Sequence, residues 1–463
     1  MLPVGPPGAG NSPYSSPSAF AGSPLLVSLE ELFARGLLRR SELRGSTALP
    51  RDRVDYAAAA RFREARLRAA YARFATGDRR ERARFDEFRS RCGEWLDDFA
   101  LFRALKRETR GAPWTRWDQG LRARGAPALA TARRSLADEV RYHEFVQYAF
   151  DRQWSALRRR CHELGIGLIG DIPIFVAHDS ADVWAHQDLF HLDERGRPKR
   201  VAGIPPDYFS RTGQLWGNPL YRWDRLRRRG YDWWLARLRT TFDRFEVVRL
   251  DHFIGFLRTW EVSGRARTAI RGRWGRGPGA DFFTAVRKRL GRVPLIAEDL
   301  GVVIPAVKTL RDRFGLPGMR VLQFAFGNDP EADNYRPHNY PRRCVVYTGT
   351  HDNDTTVGWF RDQGSAASTR SRAEIERERA FTLRYLASTG PEIHWDLIRL
   401  ANMSVAHTVI VMAQDALGLG SEARMNRPGI ARGNWEWRLP TGAPSAAVRR
   451  RLADLARTYG RAY

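Results

Sequence analysis

The chain has 463 residues, 43% apolar and 11% aromatic, enough to bury the core of one large barrel with an inserted subdomain. No run of about 18 apolar residues occurs, so no transmembrane helix is expected. The net charge of +26 comes from 74 Arg and only four Lys, interleaved with acids along the whole chain. That pattern reads as Arg replacing surface Lys, so neither a specific nucleic acid nor a membrane is an expected partner. The start, MLPVGPPGAG, has neither the basic nor the apolar region of a signal peptide. Cys92, Cys161 and Cys344 are odd in number and far apart, match no disulfide or metal pattern, and fit a reducing cytoplasm. Fifteen Trp is a high count, and exposed Trp suits flat, amphipathic ligands such as sugars.

From Val27 to about Arg159 apolar residues recur every three or four positions, as in RVDYAAAARFREARLRAAYARF, and predict helices. Beyond that, short apolar runs alternate with amphipathic segments. The runs are 167–176, 245–253, 293–301, 319–326, 343–352 and 408–420. Near-continuous apolar strands alternating with helices predict a parallel sheet covered on both faces. Polar clusters at their C-terminal ends predict a (β/α)8 barrel with its site at that end. Gly165-Ile-Gly-Leu-Ile-Gly170 matches the dinucleotide fingerprint G-x-G-x-x-G but follows a helix and leads into a strand. Gly165 is therefore expected to cap that helix.

Asp171, Asp251, Glu298, Asp299 and Asp352 all fall at predicted strand ends. Any one alone is ordinarily a cap or an ion-pair partner. Three or more at one barrel mouth would cost energy through like-charge repulsion, a cost that sites tolerate when one carboxyl stays protonated and another ionised. An acid and a carboxylate flanking one bond is the arrangement for glycoside chemistry. A metal is the rival reading. Asp352-Asn-Asp354 lacks the Gly and distal Glu of a calcium loop, and only His252 and His351 lie at strand ends.

RLDHF (249–253), AEDLG (297–301) and GTHDND (349–354) resemble the fingerprints of the 4-alpha-glucanotransferases, glycoside hydrolase family 77. SPYSSPSAFAG (12–22), GDIPIFVAHDSADVWAH (170–186), VAGIPPDYFSRTGQLWGNPLYRW (201–223) and GSEARMNRPG (420–429) extend the resemblance over nearly the whole chain. It implies transfer of a segment of a 1,4-alpha-glucan to the 4-hydroxyl of glucose or another glucan by a retaining double displacement, without metal or cofactor. Asp251 is then the nucleophile, Glu298 the general acid and base, and Asp352 the stabiliser of the oxocarbenium-like transition state. Tyr14, Asp171, Asp207, Tyr208, Phe209, Asn218, Arg249, His252 and His351 are implied to bind substrate. Arg249 lies two residues before Asp251, hence on the same strand face, where it keeps that carboxylate ionised. Trp114, Trp117, Trp216 and Trp223 are either sugar platforms or core.

The expected organisation is a barrel remnant and substrate loop at 1–26, a helical insertion at 27–136 and a catalytic barrel at 137–463, with a lid loop at 201–223. Leu2-Pro-Val4 resembles the end of a strand that family members complete upstream. With six further runs, the chain is expected to form an open or distorted barrel with its N-terminal elements missing. Ile254 stands where the family usually has Arg, and Leu257-Arg258 replaces an acidic-apolar pair. The expected protein is cytoplasmic and a monomer or weak oligomer. The rival activity is a retaining alpha-glucan hydrolase with the same carboxylates; a dead barrel that merely adheres to polyanions is the third reading.

Overall fold

The computed structural model describes residues 1–45, 49–206, 211–301, 304–364, 370–430 and 432–462. The N-terminal third is helical, as its periodicity predicts. Long helices run over Tyr56–Ala75, Arg79–Glu108 and Ala137–Glu163. Asp55 starts the first by accepting from the Ala58 amide at 2.9 Å, and Asp78 starts the second by accepting from Arg80 N at 2.9 Å. The third ends at Gly165, φ +70°, where the amides of Gly165 and Ile166 bond back to His162 and Cys161. This left-handed cap accounts for the glycine that mimicked a nucleotide loop.

The helices bury an aromatic seam in which Phe74 lies 4.8 Å from Phe145 and 5.4 Å from Phe85, centroid to centroid. One continuous core joins this seam to the first strands. Trp114 and Trp117 are buried in it, so neither is a sugar platform.

Among the described residues ten strands follow: β1 (Ile169–Ile172), β2 (Arg200–Ile204), β3 (Gln214–Pro219), β4 (Val247–Leu250), β5 (Arg258–Ser263), β6 (Gly272–Arg276), β7 (Leu295–Ala297), β8 (Gly318–Val321), β9 (Cys344–Tyr347) and β10 (Thr408–Ile410). Six make a parallel sheet in the order β1-β4-β7-β8-β9-β10. These are the six runs expected from sequence. β1 and β10 do not pair with each other among the described residues, so the sheet is open there. Leu2–Val4 forms no strand, although the Met1 amino group donates to Ile169 O at the start of β1, 2.6 Å away. The second sheet is antiparallel, β3-β2-β5-β6. The stretch 201–223, expected to be a loop, thus contains the β2–β3 hairpin, with Gly203 opposite Leu215. No helix among the described residues is long and apolar enough to cross a membrane.

Asp299, one of the expected strand-end carboxylates, is structural, and so is Asp415. Asp299 is buried, ion-pairs with Arg311 and accepts from Met319 N at 2.8 Å, which ties the end of β7 to β8. Gly318 must be glycine here, because a Cβ would stand 2.5 Å from Asp299 Oδ2. Asp415 lies beyond β10 on a short helix, Ala413–Ala416, where it accepts from Thr348 Oγ1 at 2.5 Å and Thr356 N at 2.7 Å. Replacing Asp299 by Ala takes one of two carboxylates from Arg311, which keeps Asp312, and leaves the Met319 amide without its acceptor, and should cost about 1–3 kcal/mol. Urea unfolding of the variant checks this; a loss below about 1 kcal/mol, the value of an exposed pair, contradicts the clamp.

Candidate active site

The C-terminal ends of β1, β4, β7 and β9 meet in one cleft. Asp171 and Arg249 are register partners on β1 and β4. Leu250 pairs with Ala297, so Asp251 and Glu298 are the next residues on adjacent parallel strands and leave the sheet side by side. Period-two alternation puts Arg249 and Asp251 on one face, and the expected ion pair is present. Arg249 Nη1 lies 2.9 Å from Asp251 Oδ1 and 2.7 Å from Asp171 Oδ2. One guanidinium nitrogen therefore serves two carboxylates. Tyr14 completes the group by donating its hydroxyl to Asp171 Oδ2 at 2.7 Å.

Burial is the main force on the titrating groups. It pushes Glu298 up to about 8, with Arg249 opposing and Asp251 adding to the rise. Asp251 is pushed up to about 6 by burial against the pull of Arg249. Its side chain keeps 26% exposure. The ordering follows from contacts: Asp251 touches a cation, whereas Glu298, among the described residues, accepts the amides of His252 (2.6 Å) and Leu300 (3.0 Å). At neutral pH Glu298 holds its proton and Asp251 is ionised. The cleft thus pairs an acid with a carboxylate, the division that glycoside chemistry needs.

The turn after β9 answers to both local structure and the site. Asn353 Oδ1 accepts from Thr350 N at 3.0 Å, and Thr355 caps the following helix through Gly358 N. These bonds aim His351 and Asp352 at the cleft. His351 Nε2 is 3.5 Å from Asp352 Oδ1, and its ring stacks on Tyr14 at 5.1 Å and 25°. Asp354, in contrast, turns away to Ser421 Oγ, 2.8 Å.

His252 sits in the left-handed region, φ +50°, and burial lowers it to about 4, so it is neutral. Its Nε2 has no partner among the described residues. Trp216 stands edge-on to this ring at 4.7 Å, which makes Trp216 part of the cleft wall. Asn218 is committed to the scaffold through its amide, which donates to Val176 O at 2.8 Å. Asp207, Tyr208 and Phe209 lie outside the described residues. Ile254 is buried in the core of the short turn Phe253–Phe256, and the Arg258 guanidinium lies 4.0 Å over Trp274.

Four residues escaped the sequence reading. Asn426 donates to Asp352 Oδ1 at 2.6 Å, and Arg424 donates to Asp352 O at 2.7 Å. Both belong to the quoted GSEARMNRPG stretch, which was a signal without a role. Trp435, φ +66°, closes over His351 at 5.6 Å. Met319 lies against Arg249, its Sδ 3.3 Å from Nε. Neither position carried a motif. No group of three or more His, Cys, Asp or Glu able to hold a metal occurs among the described residues.

The family profile described as 4-alpha-glucanotransferase matches residues 1–443. The 4-alpha-glucanotransferase of Thermus thermophilus is 49% identical, over 98% of this chain and 90% of that protein. That of Synechocystis is 44% identical, over 100% and 90%. The structure of the amylomaltase from Streptococcus agalactiae, in complex with acarbose, superposes with a TM-score of 0.94 at 33% identity, over 100% of this chain and 91% of that one. Read with the cleft of two carboxyls in opposite protonation states, these likenesses assign the chain to the 4-alpha-glucanotransferases, glycoside hydrolase family 77.

Proposed function

We propose that this chain moves a segment of an alpha-1,4-glucan to the 4-hydroxyl of glucose or a maltooligosaccharide by retaining double displacement. The observation that carries the mechanism is the placement of ionised Asp251 beside protonated Glu298 on adjacent strands. Parallel neighbours about 4.8 Å apart suit the roughly 5–5.5 Å between carboxyls that retention needs. In the first step an Asp251 oxygen attacks the anomeric carbon while the Glu298 proton passes to the leaving 4-oxygen. In the second, Glu298 takes the proton of the acceptor 4-hydroxyl, that oxygen attacks the same carbon, and Asp251 departs. Asp352, held by Asn426, and His351, held between Tyr14 and Trp435, grip the sugar hydroxyls.

The scaffold reading goes with this. The open six-stranded sheet is part of a (β/α)8 barrel, residues 27–136 are its helical insertion, and the β2–β3 hairpin lies in the stretch 201–223 that the resemblance makes a lid. A lid that excludes water favours a sugar acceptor. This supports transfer over the hydrolase reading, as do the names of the relatives. A cytoplasmic monomer or weak oligomer acting on soluble glucans fits the composition.

The experiment is product analysis from maltotriose. A ladder of longer maltooligosaccharides plus glucose is expected; glucose with no longer product supports the hydrolase, and no product at all supports a dead barrel. The pH dependence follows from the site. Activity needs Asp251 ionised and is lost as pH falls through about 6; it needs Glu298 protonated and is lost as pH rises through about 8. Glu298→Gln should slow transfer from maltotriose about 10²–10⁴-fold and abolish the alkaline limb. An alkaline limb that survives the substitution assigns the acid to another residue.

A further inference from the structure

Arg249 has to point one nitrogen at two carboxylates at once, and something must hold it in that rotation. Its Nη1 contacts Asp171 and Asp251, while its Nε donates to the thioether of Met319 at 3.3 Å. We infer that Met319 is a positioning residue for catalysis: its sulfur takes the Nε–H of Arg249 and so orients the guanidinium toward the nucleophile Asp251. The inference rests on Asp251 being the nucleophile.

Met319 is fully buried in the sheet interior with Ile296, Val321, Val345 and Tyr347. In such surroundings an unpaired buried N–H is costly. The backbone that carries the sulfur is anchored. Met319 pairs with Val345 in the β8–β9 ladder, and its amide is held by Asp299 Oδ1 at 2.8 Å. A guanidinium is a rigid planar fork. Fixing Nε to the β8 side stops Arg249 from turning its Nε edge to Asp171, which would make a bidentate pair and leave Asp251 without its cation. A thioether is a weak acceptor, so it directs the fork without competing for its charge. The bland alternative is that Met319 only fills a gap in the core, as Met often does.

The two readings separate on pH. Asp251 faces Arg249 on β4, Asp171 on β1, Glu298 after β7, His351 and Asp352 after β9, and Tyr14. Arg249 also faces Tyr347 on β9. Of these, Arg249 is the group bonded to the sulfur. Met319→Leu conserves volume and should fold. It is expected to lower kcat about tenfold with KM within about twofold, and to move the acid limb up by about half a unit, because Asp251 loses part of its cation. Met319→Gln, which restores an acceptor at the same reach, should return the limb toward the wild-type position. In the wild type, the Arg249 Nε–H signal, assigned in NMR spectra by its loss in Arg249→Lys, should exchange slowly with solvent.

A Leu variant whose kcat and acid limb match the wild type overturns the inference, as does a Gln variant no better than Leu, or a fast-exchanging Nε–H. Asp251→Asn is the parallel control. If it is inactive while Met319→Leu is normal, the positioning role alone fails. If Asp251→Asn stays active, the nucleophile assignment fails and this inference with it.

Discussion

The structure of the site depends on one cation. Arg249 is the positive charge in contact with Asp171 and Asp251, and Glu298 and Asp352 face the same cleft. Without it, burial and the neighbouring carboxylates would push Asp251, the proposed nucleophile, further toward protonation. With it, the field is uneven. Asp251 and Asp171 touch the guanidinium; Glu298 does not, and burial keeps its proton on. The asymmetry between ionised Asp251 and protonated Glu298, proposed above as nucleophile and acid, is thus the reach of one side chain. Burial works against Arg249 itself, yet the surrounding carboxylates hold it well above its ordinary range. It is a fixed charge on the scale of the reaction.

The fold exists around that geometry. Parallel neighbours β1, β4 and β7 place Asp171, Arg249, Asp251 and Glu298 by register alone. The walls are held by contacts of long range in sequence. Tyr56, at the start of the first long helix, donates to Trp435 O at 2.8 Å, and Trp435 backs His351. The helical segment therefore supports the wall that holds His351 as well as sharing the core. Asp299 and Asp415 spend their charge on holding elements together, so a carboxylate at a strand end is not by that fact functional.

The elements that were legible from sequence are those with a strong period or a special backbone residue. The long helices, the six parallel strands and the Gly165 cap follow from apolar spacing and from glycine's access to positive φ. Arg249 beside Asp251 follows from period-two alternation. Contacts between residues far apart in the chain leave no local trace, which is why Asn426 on Asp352, Trp435 on His351 and Met319 on Arg249 were missed. Exposure is equally illegible: Trp114 and Trp216 read alike in sequence, yet one is core and the other faces His252. The hairpin within 201–223 was hidden because its prolines and glycines masked short strands.

The central claim is that Asp251 carries the sugar while Glu298 moves the proton. Glu298→Gln incubated with α-maltosyl fluoride, whose leaving group needs no acid, should accumulate a covalent intermediate. Proteolysis and mass spectrometry should find the added maltosyl mass on the peptide containing Asp251. An adduct on any other residue, or rapid turnover with inversion at the anomeric carbon, contradicts the account.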